Sequence, residues 1–267
     1  MILYASPIKE KLIDKIKSNP NLKKLSFFLY SNKDDIPSFY YLKGIKRTLD
    51  EFSIPYIESF LDLSKKREEN ITNFLKNSDG RMVILARPLK EDYEKFLIPL
   101  IEPNFDPDMM STYNIGRLYS GDLNYLPATA KSVQSFIDYY KLDIKNKKCL
   151  VIGRSNTVGL PVSMLIQKYN GFVSIAHSKI ELTNIIKTLK ETDFVFLCSG
   201  KSNLIERKNF NPNQTIIDCG FSSNGGDLGF IPEEGELKDY TPVPKGIGVL
   251  TSYELIINAL HLIQNNC

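Results

Sequence analysis

Two glycines flank a short polar turn that directly follows an apolar segment. Residues 153–159 read Gly-Arg-Ser-Asn-Thr-Val-Gly, after the apolar run 149–152 and before a helix-like stretch. Gly153 permits a tight turn, the amides at a helix start attract negative charge, and Gly159 lets a helix pack closely on a strand. The pattern indicates a cradle for a pyrophosphate. Because Ser155 stands where a dinucleotide fingerprint has its middle glycine, a purely structural turn stays an alternative.

The end of the next apolar segment bears on which dinucleotide this turn would take. Enzymes that use NAD usually place Asp or Glu there, where the carboxylate holds the ribose hydroxyls. Here the residues are Ala-His-Ser-Lys at 176–179, with no carboxylate. Arg154, Ser178 and Lys179 can donate hydrogen bonds or charge to a 2′-phosphate, so the residues favour NADP. A solvated strand end is the competing interpretation.

These turns lie in a chain that alternates strand-like and helix-like segments, which is typical of α/β proteins with mostly parallel sheets. Strands are predicted at 25–29, 82–86, 149–152, 172–176, 194–197 and 215–218. Helices are predicted at 38–52, 91–101, 158–169, 181–190 and 253–264. The regular alternation after residue 148 indicates a nucleotide-binding domain. Residues 102–113 break the pattern with prolines and several Asp or Asn residues, which is typical of a functional loop.

The composition sets the class of protein and argues against several functions. With 42% hydrophobic and 24% charged residues among 267, the chain has ordinary globular composition. A net charge of +3 with dispersed lysines gives nucleic-acid binding little support. The apolar stretches are too short or too interrupted for a membrane span, which needs about 20 apolar residues. Since the N-terminus lacks the pattern of a signal peptide, we expect a cytoplasmic protein.

The cysteines give no sign of a metal site. There are four of them, widely scattered: Cys149, Cys198, Cys219 and Cys267. They form no C-x-x-C pair, which argues against both a zinc site and a disulfide framework. We therefore expect no metal, and we interpret the cysteines as small core residues or, for Cys267, a chain end.

Several short motifs, taken in order, resemble one enzyme family. In the second half they are Gly153-Arg154-Ser155-x-x-Val158-Gly159-x-Pro161, His177-Ser178, and Thr241-Pro242-Val243-Pro244-x-Gly246-x-Gly248-x-x-Thr251. In the first half they are Ser38-x-x-Tyr41, Asp106-x-Asp108, Tyr113-Asn114-x-Gly116-Arg117-Leu118 and Pro127-x-Thr129. Together they resemble the methylenetetrahydrofolate dehydrogenase/cyclohydrolase family, and the resemblance covers nearly the whole chain.

The resemblance implies an architecture. An N-terminal α/β folate domain would comprise residues 1–119 and 250–267, with the C-terminal helix returning to it. Residues 120–249 would form a Rossmann-like NADP-binding domain with a mostly parallel sheet, and the reactive cleft would lie between the two. Relatives are commonly homodimers, so the resemblance also implies a homodimer.

The resemblance further implies roles for single residues. Gly153, Arg154, Ser155 and Ser178 would hold the cofactor, with Phe221 near the nicotinamide, and Lys179 adds charge beside them. On the folate side, the residues implied are Tyr41, Asp108, Pro244 and Gly248. A carboxylate such as Asp108 can accept paired hydrogen bonds from the amino-pyrimidine edge of a pterin, and Tyr41 offers an aromatic face with a polar tip.

The sequence departs from the family at the residue that relatives need for hydrolysis. They carry lysine four residues after the tyrosine, on the same helix face, and here that position is Ile45. Ile45 also fits an apolar stripe, so a plain core residue is the competing interpretation. A glutamine that supports the lysine is replaced by Ile84. Further replacements in the same pocket are Ala128, Ala130, Lys245 and Val249.

We therefore expect an NADP-dependent dehydrogenase that converts 5,10-methylenetetrahydrofolate to 5,10-methenyltetrahydrofolate, with weak or absent cyclohydrolase activity. Loss of general acid–base help slows a reaction by about 10²–10⁴-fold, which leaves hydrolysis slow rather than impossible. One alternative is a bifunctional enzyme in which another group, such as Lys245, replaces the amine. The other is a folate-binding protein without turnover.

Overall fold

A computed structural model of the chain describes residues 1–33, 35–220 and 225–264. Its strands are β1 (Phe27–Asn32), β2 (Tyr56–Leu61), β3 (Met82–Leu85), β4 (Lys148–Ile152), β5 (Phe172–Ala176), β6 (Phe194–Leu197), β7 (Thr215–Asp218) and β8 (Asp239–Tyr240). Its helices are α1 (Ser6–Lys17), α2 (Ile36–Glu51), α3 (Arg67–Ser78), α4 (Glu94–Leu97), α5 (Thr112–Tyr119), α6 (Ala128–Tyr140), α7 (Gly159–Lys168), α8 (Leu182–Leu189) and α9 (Thr251–Gln264). None of the helices in these ranges is long and apolar enough to cross a membrane.

The first three strands form a parallel sheet in the order β2-β1-β3. β1 is central, and all six of its residues are buried, as a parallel strand covered on both faces requires. Part of the core is built on aromatic rings, with the Phe74 centroid 5.5 Å from that of Phe28 and 5.3 Å from that of Tyr30. Arg87, which is described below, follows β3 at one end of this sheet.

The remaining strands form a second parallel sheet in the order β5-β4-β6-β7-β8. β6 and β7 are buried throughout and β4 is buried except at Lys148, so the sheet interior is a run of apolar strands. The strand order reverses between β4 and β6. In open α/β sheets, ligands bind outside the carboxyl ends of the strands at such a switch point.

The chain divides into two compact units. The five-stranded unit contains Met1–Lys11 and Leu126–Glu254, and the three-stranded unit contains Leu12–Tyr125 and Leu255–Cys267. The divisions fall inside α1 and α9, so the first residues of the chain belong with its second half. Ile2 forms a parallel bridge to Tyr240 of β8, which ties the N-terminus to that sheet.

The structure corrects two predicted elements. The helix predicted at 91–101 is wrong, because Glu91 and Asp92 adopt φ of 52° and 55°. Only the four residues of α4 are α-helical there, and a short 3-10 turn follows at Ile98–Leu100. The strand predicted at 25–29 begins two residues later and runs through Ser31 and Asn32, which are polar but buried.

Candidate functional site

The turn after β4 has a backbone that only glycine fits. Gly153 adopts φ +131°, and a Cβ built on it would lie 2.2 Å from the backbone oxygen of Cys198. The Gly153 amide donates to the Ala176 carbonyl at 2.9 Å, which holds the turn against the end of β5. A Cβ on Gly159 would lie 2.2 Å from the Gly153 carbonyl oxygen. Both glycines are therefore required for the turn to close on the start of α7.

The same turn leaves hydrogen-bond donors for an anion. Ser155 Oγ accepts from the amides of Val158 (3.1 Å) and Gly159 (3.4 Å), so it caps the start of α7. The backbone amides of residues 154–157 donate to no residue in the described part of the chain. These amides lie in the turn that leads into α7, and unused backbone amides just before a helix N-terminus suit a phosphate. The turn fits a dinucleotide pyrophosphate on this geometry.

The end of β5 lies beside this turn. Ile152 of β4 pairs with Ala176 of β5, so the two turns leave the sheet at the same edge from neighbouring strands. Arg154, Ser178 and Lys179 are all exposed there, with a guanidinium, a hydroxyl and an ammonium to offer. These are donors for a phosphate monoester such as the 2′-phosphate of NADP. Phe221, the predicted nicotinamide neighbour, lies outside the described residues.

In the three-stranded unit, two charged side chains act on the Tyr41 phenol. Tyr41 is on α2, Arg87 follows β3, and Asp108 is in the loop before α5. Burial raises the pKa of Tyr41 well above its ordinary value, the Asp108 carboxylate raises it further, and the Arg87 guanidinium opposes the shift. A carboxylate and a cation are therefore near enough to Tyr41 to act on it.

Buried hydrogen bonds hold the Asp108 loop. The Asp106 carboxylate accepts from the amides of Met110 (2.9 Å) and Ser111 (2.7 Å) and from the Asn114 side chain (3.0 Å). The Asn258 amide of α9 donates to the Pro107 carbonyl at 2.8 Å. Burial raises the pKa of Asp106, and these hydrogen bonds act against the rise. Asp106 is therefore structural, and it holds the loop that contains the half-buried Asp108.

The start of α2 positions Tyr41. Asp35 caps the helix, because its Oδ2 accepts from the Ser38 amide at 2.9 Å. The Ser38 side chain is buried, and its hydroxyl finds no partner among the described residues. A buried hydroxyl without a partner is costly, by about 1–3 kcal/mol. One turn before Tyr41 there is thus a polar atom that a ligand can satisfy.

Residue 45, four residues after Tyr41, is the position at which relatives carry lysine, and here it is Ile45. Ile45 is 2% exposed and packs in the core below Tyr41 on the same helix. Lys46 points to Glu58, with 3.0 Å between Nζ and Oε2, and Lys43 is exposed. Ile84 is fully buried in β3. Neither isoleucine can move a proton, so the cation here is Arg87 alone among these residues.

The predicted residues Pro244 and Gly248 lie in the five-stranded unit, and both are exposed. Pro244 and its neighbour Lys245 line a cavity of about 550 Å³ together with Tyr4 and Asp218. Lys245 adopts φ +89°, a conformation that favours glycine. The Lys245 carbonyl accepts from the Ala5 amide at 2.9 Å, which fixes this backbone.

Comparison with known proteins decides the family. The sequence model of the tetrahydrofolate dehydrogenase/cyclohydrolase NAD(P)-binding domain matches residues 127–267. The bifunctional protein FolD of Clostridium beijerinckii is 32% identical over 97% of this chain and 93% of its own length. The chain belongs to the tetrahydrofolate dehydrogenase/cyclohydrolase family. The resemblance found in its motifs is thereby confirmed.

Solved structures show that the fold of the tetrahydrofolate dehydrogenase/cyclohydrolase family is shared throughout the chain. A methylenetetrahydrofolate dehydrogenase-cyclohydrolase of Trypanosoma brucei, solved with NADP and an inhibitor, superposes with a TM-score of 0.87 at 19% identity. That match covers 100% of this chain and 98% of the other. A 5,10-methylenetetrahydrofolate dehydrogenase of the silkworm Bombyx mori gives 0.83 at 24% identity, covering 99% and 98%. At these identities the likeness shows the fold, which is α/β with a Rossmann-like NAD(P)-binding domain.

Arg87 was not predicted to be a site residue. It interrupts the apolar run at 82–89, and this isolated charge was the available signal. Only the structure shows that this charge acts on Tyr41.

Proposed function

We propose that this chain oxidises 5,10-methylenetetrahydrofolate to 5,10-methenyltetrahydrofolate with NADP. The observation that carries the proposal is the turn at Gly153, with its unused amides, beside the exposed donors Arg154, Ser178 and Lys179. Gly153 and Ser155 would hold the pyrophosphate, and the other three would hold the 2′-phosphate. Phe221 is assigned to the nicotinamide by family resemblance alone.

The folate is assigned to Tyr41 and Asp108. The carboxylate would accept from the amino-pyrimidine edge of the pterin, while the tyrosine ring lies along the folate and its hydroxyl stays protonated. Pro244 and Gly248 are assigned to substrate by resemblance. In this assignment residues 1–119 with 250–267 bind folate and residues 120–249 bind NADP. We expect a cytoplasmic homodimer. Size-exclusion chromatography with light scattering would test whether the chain forms a dimer.

The dehydrogenase reaction asks little of side chains as acids or bases. NADP held by Gly153, Arg154 and Ser155 would supply the acceptor for a hydride from the methylene carbon of the folate. What the chain must do is bind both molecules and orient them. A neutral Tyr41 suits that task, because it can help to position the pterin without giving up its proton.

Hydrolysis of the methenyl product is different, because water must be activated and a proton delivered. Ile45 and Ile84 are buried and carry no titratable group. We therefore expect cyclohydrolase activity to be weak. The specific alternative is that Lys245, an exposed amine on the rim of a cavity of about 550 Å³, takes over this role.

The cofactor part of the proposal is tested by comparing kcat/KM for NADP and NAD in the wild type and in Arg154→Ala. A guanidinium bonded to a phosphate is worth about 1.5–3 kcal/mol, so the variant should lose roughly 10–100-fold with NADP and little with NAD. Lys168→Ala, at the other end of α7, is the matched control and should behave as wild type. An equal loss with both cofactors would contradict the 2′-phosphate role of Arg154.

A folate-binding protein without turnover gives a different result. It would bind methylenetetrahydrofolate and NADP in calorimetry yet produce no NADPH. Appearance of NADPH that depends on methylenetetrahydrofolate removes that alternative.

A further inference from the structure

Two cysteines that are far apart in sequence become neighbours at the carboxyl edge of the five-stranded sheet. Cys198 directly follows β6 and Cys219 directly follows β7. Leu197 of β6 pairs with Asp218 of β7. The Cys219 amide also donates to the Leu197 carbonyl at 2.9 Å. Cys198 and Cys219 each come one residue later, so they lie opposite each other. Adjacent strands are about 4.7–4.9 Å apart, and disulfides need Cα atoms about 4.4–6.8 Å apart. The backbone spacing therefore suits a disulfide.

The Cys198 thiol is also near enough to Cys219 to affect its pKa. A hydrogen bond with Cys198 raises the pKa of Cys219 well above its ordinary value, and burial of the thiol adds to the shift, as do the charges of Asp218 and Asp227. Both cysteines are free and both residues are partly exposed. Cys149, by contrast, is buried in β4. The structure thus contains one vicinal dithiol among its described residues, which the spacing in sequence did not reveal.

This dithiol lies directly against the phosphate turn. Cys198 follows the strand at which the sheet order reverses, and its amide donates to the Ile152 carbonyl at 2.8 Å. A Cβ on Gly153 would lie 2.2 Å from the Cys198 carbonyl oxygen and 3.1 Å from its Cβ. There is no space between the turn and Cys198. Any shift of Cys198 must therefore move Gly153 or be resisted by it.

We propose that Cys198 and Cys219 form a reversible dithiol–disulfide site, and that its oxidation weakens dinucleotide binding at the adjoining turn. The second part rests on the proposed function, whereas formation of the disulfide does not. Bonded sulfurs are about 2.05 Å apart, closer than two hydrogen-bonded thiols, so the ends of β6 and β7 must adjust when the bond forms. The adjustment falls on the backbone that packs against Gly153.

The oxidant is a small-molecule disulfide such as oxidised glutathione. Exchange begins when the Cys198 thiol loses its proton and its sulfur attacks one sulfur of the oxidised glutathione. One glutathione leaves as a thiol, and Cys198 carries the other in a mixed disulfide. Cys219 then loses its proton, attacks the Cys198 sulfur and expels the second glutathione. The two cysteines lose two hydrogen atoms, and one small disulfide becomes two thiols.

The disulfide is tested by incubating the full chain with oxidised glutathione and mapping linked peptides by mass spectrometry. We expect a Cys198–Cys219 bond that dithiothreitol reverses. Cys198→Ala and Cys219→Ala should each abolish it, and either variant suffices if the other fails to fold. Cys267→Ser is the matched control and should still form the bond. Stable mixed disulfides at the two cysteines, or no reaction at either, would overturn the proposal.

The effect on binding is tested by calorimetric titration of NADP into reduced and oxidised protein. We expect about tenfold weaker binding after oxidation, equivalent to ~1.4 kcal/mol, and no change in Cys198→Ala. A disulfide that forms without altering affinity would refute the coupling to the turn. Failure of the reduced protein to bind NADP would instead count against the proposed function, and the peptide map would still decide whether the bond forms.

Discussion

The side chains near Tyr41 suit the dehydrogenase reaction better than the hydrolysis reaction. The raised pKa of Tyr41 keeps its hydroxyl protonated at neutral pH, so it can donate a hydrogen bond but cannot serve as a base there. Arg87 brings a guanidinium, which binds anionic groups rather than acting as a base. Tyr41 and Arg87 can therefore help to bind and orient the folate, but neither supplies a base that would activate water.

Lys245 gives a prediction in which two substitutions separate charge from backbone. Lys245→Gly and Lys245→Ala both remove the amine, but only glycine adopts φ +89° without strain. The glycine variant should be more stable than the alanine variant by ~1 kcal/mol, measured by urea unfolding. Both should keep wild-type dehydrogenase and cyclohydrolase rates. Loss of a robust wild-type cyclohydrolase rate in both would instead make Lys245 the replacement amine.

Asp218 gives a prediction about pH. It is 2% exposed, and burial with the nearby Asp227 charge raises its pKa to about 6, although the amides of Gly220, Asp227 and Leu228 donate to it. Its folded-state pKa lies above its unfolded value, so the folded protein binds more protons between these values. This contribution to stability is full below about pH 4 and is lost as pH rises through about 6, by ~3 kcal/mol in all.

The measurement is urea unfolding of the wild type and Asp218→Asn at several pH values. The stability of wild type relative to this variant should fall as pH rises from about 4 to 7. Exposed Asp79, replaced in Asp79→Asn, is the control and should leave the pH profile unchanged. A relative stability that rises over this range would show that the carboxylate is stabilised by folding, contrary to the structure.

Among the elements, the turn between β4 and α7 is the one on which both stability and NADP binding are expected to depend. Gly153→Ala places a methyl group 2.2 Å from the Cys198 oxygen at φ +131°. We expect destabilisation of ~3 kcal/mol or more and loss of NADP binding, since the backbone must shift. The free energy comes from urea unfolding and the affinity from calorimetry.

Gly200→Ala is the control for this substitution. Gly200 also has positive φ, at +67°, but no atom lies within 4 Å of its built Cβ. It should therefore lose only about 1–2 kcal/mol and keep its affinity for NADP. Equal losses in the two variants would mean that contact with Cys198 is unimportant.

How far the elements could be predicted depended on burial. The strands predicted at 172–176, 194–197 and 215–218 match β5, β6 and β7, because uninterrupted apolar runs between turns leave few alternatives. β2 was not predicted, since its polar Glu58 and Ser59 interrupt the run and only Leu61 among its residues is buried. The broken segment at 91–101 depends on two residues with positive φ, for which the sequence offers no glycine.

At the scale of the whole molecule, the family and the phosphate turn were predictable because ordered motifs carry both. The Arg87 charge beside Tyr41 was not, because it depends on where α2 lies relative to the end of β3. The Cys198–Cys219 pair was not, because it depends on the register of β6 and β7. The position of the N-terminal residues was also not foreseen from the sequence. Residues Met1–Lys11 belong to the five-stranded unit, where the Leu3 amide donates to the Tyr240 carbonyl at 2.8 Å.

The central claim is that the chain is a dehydrogenase with weak cyclohydrolase activity. A single absorbance experiment tests it most directly. Purified protein is mixed with methylenetetrahydrofolate and NADP, and NADPH and methenyltetrahydrofolate are followed separately. We expect methenyltetrahydrofolate to accumulate beside NADPH and to disappear only at the spontaneous rate. Formation of NADPH without accumulation of methenyltetrahydrofolate would show that hydrolysis survives without a lysine at position 45, and a dehydrogenase with weak hydrolysis would then be wrong.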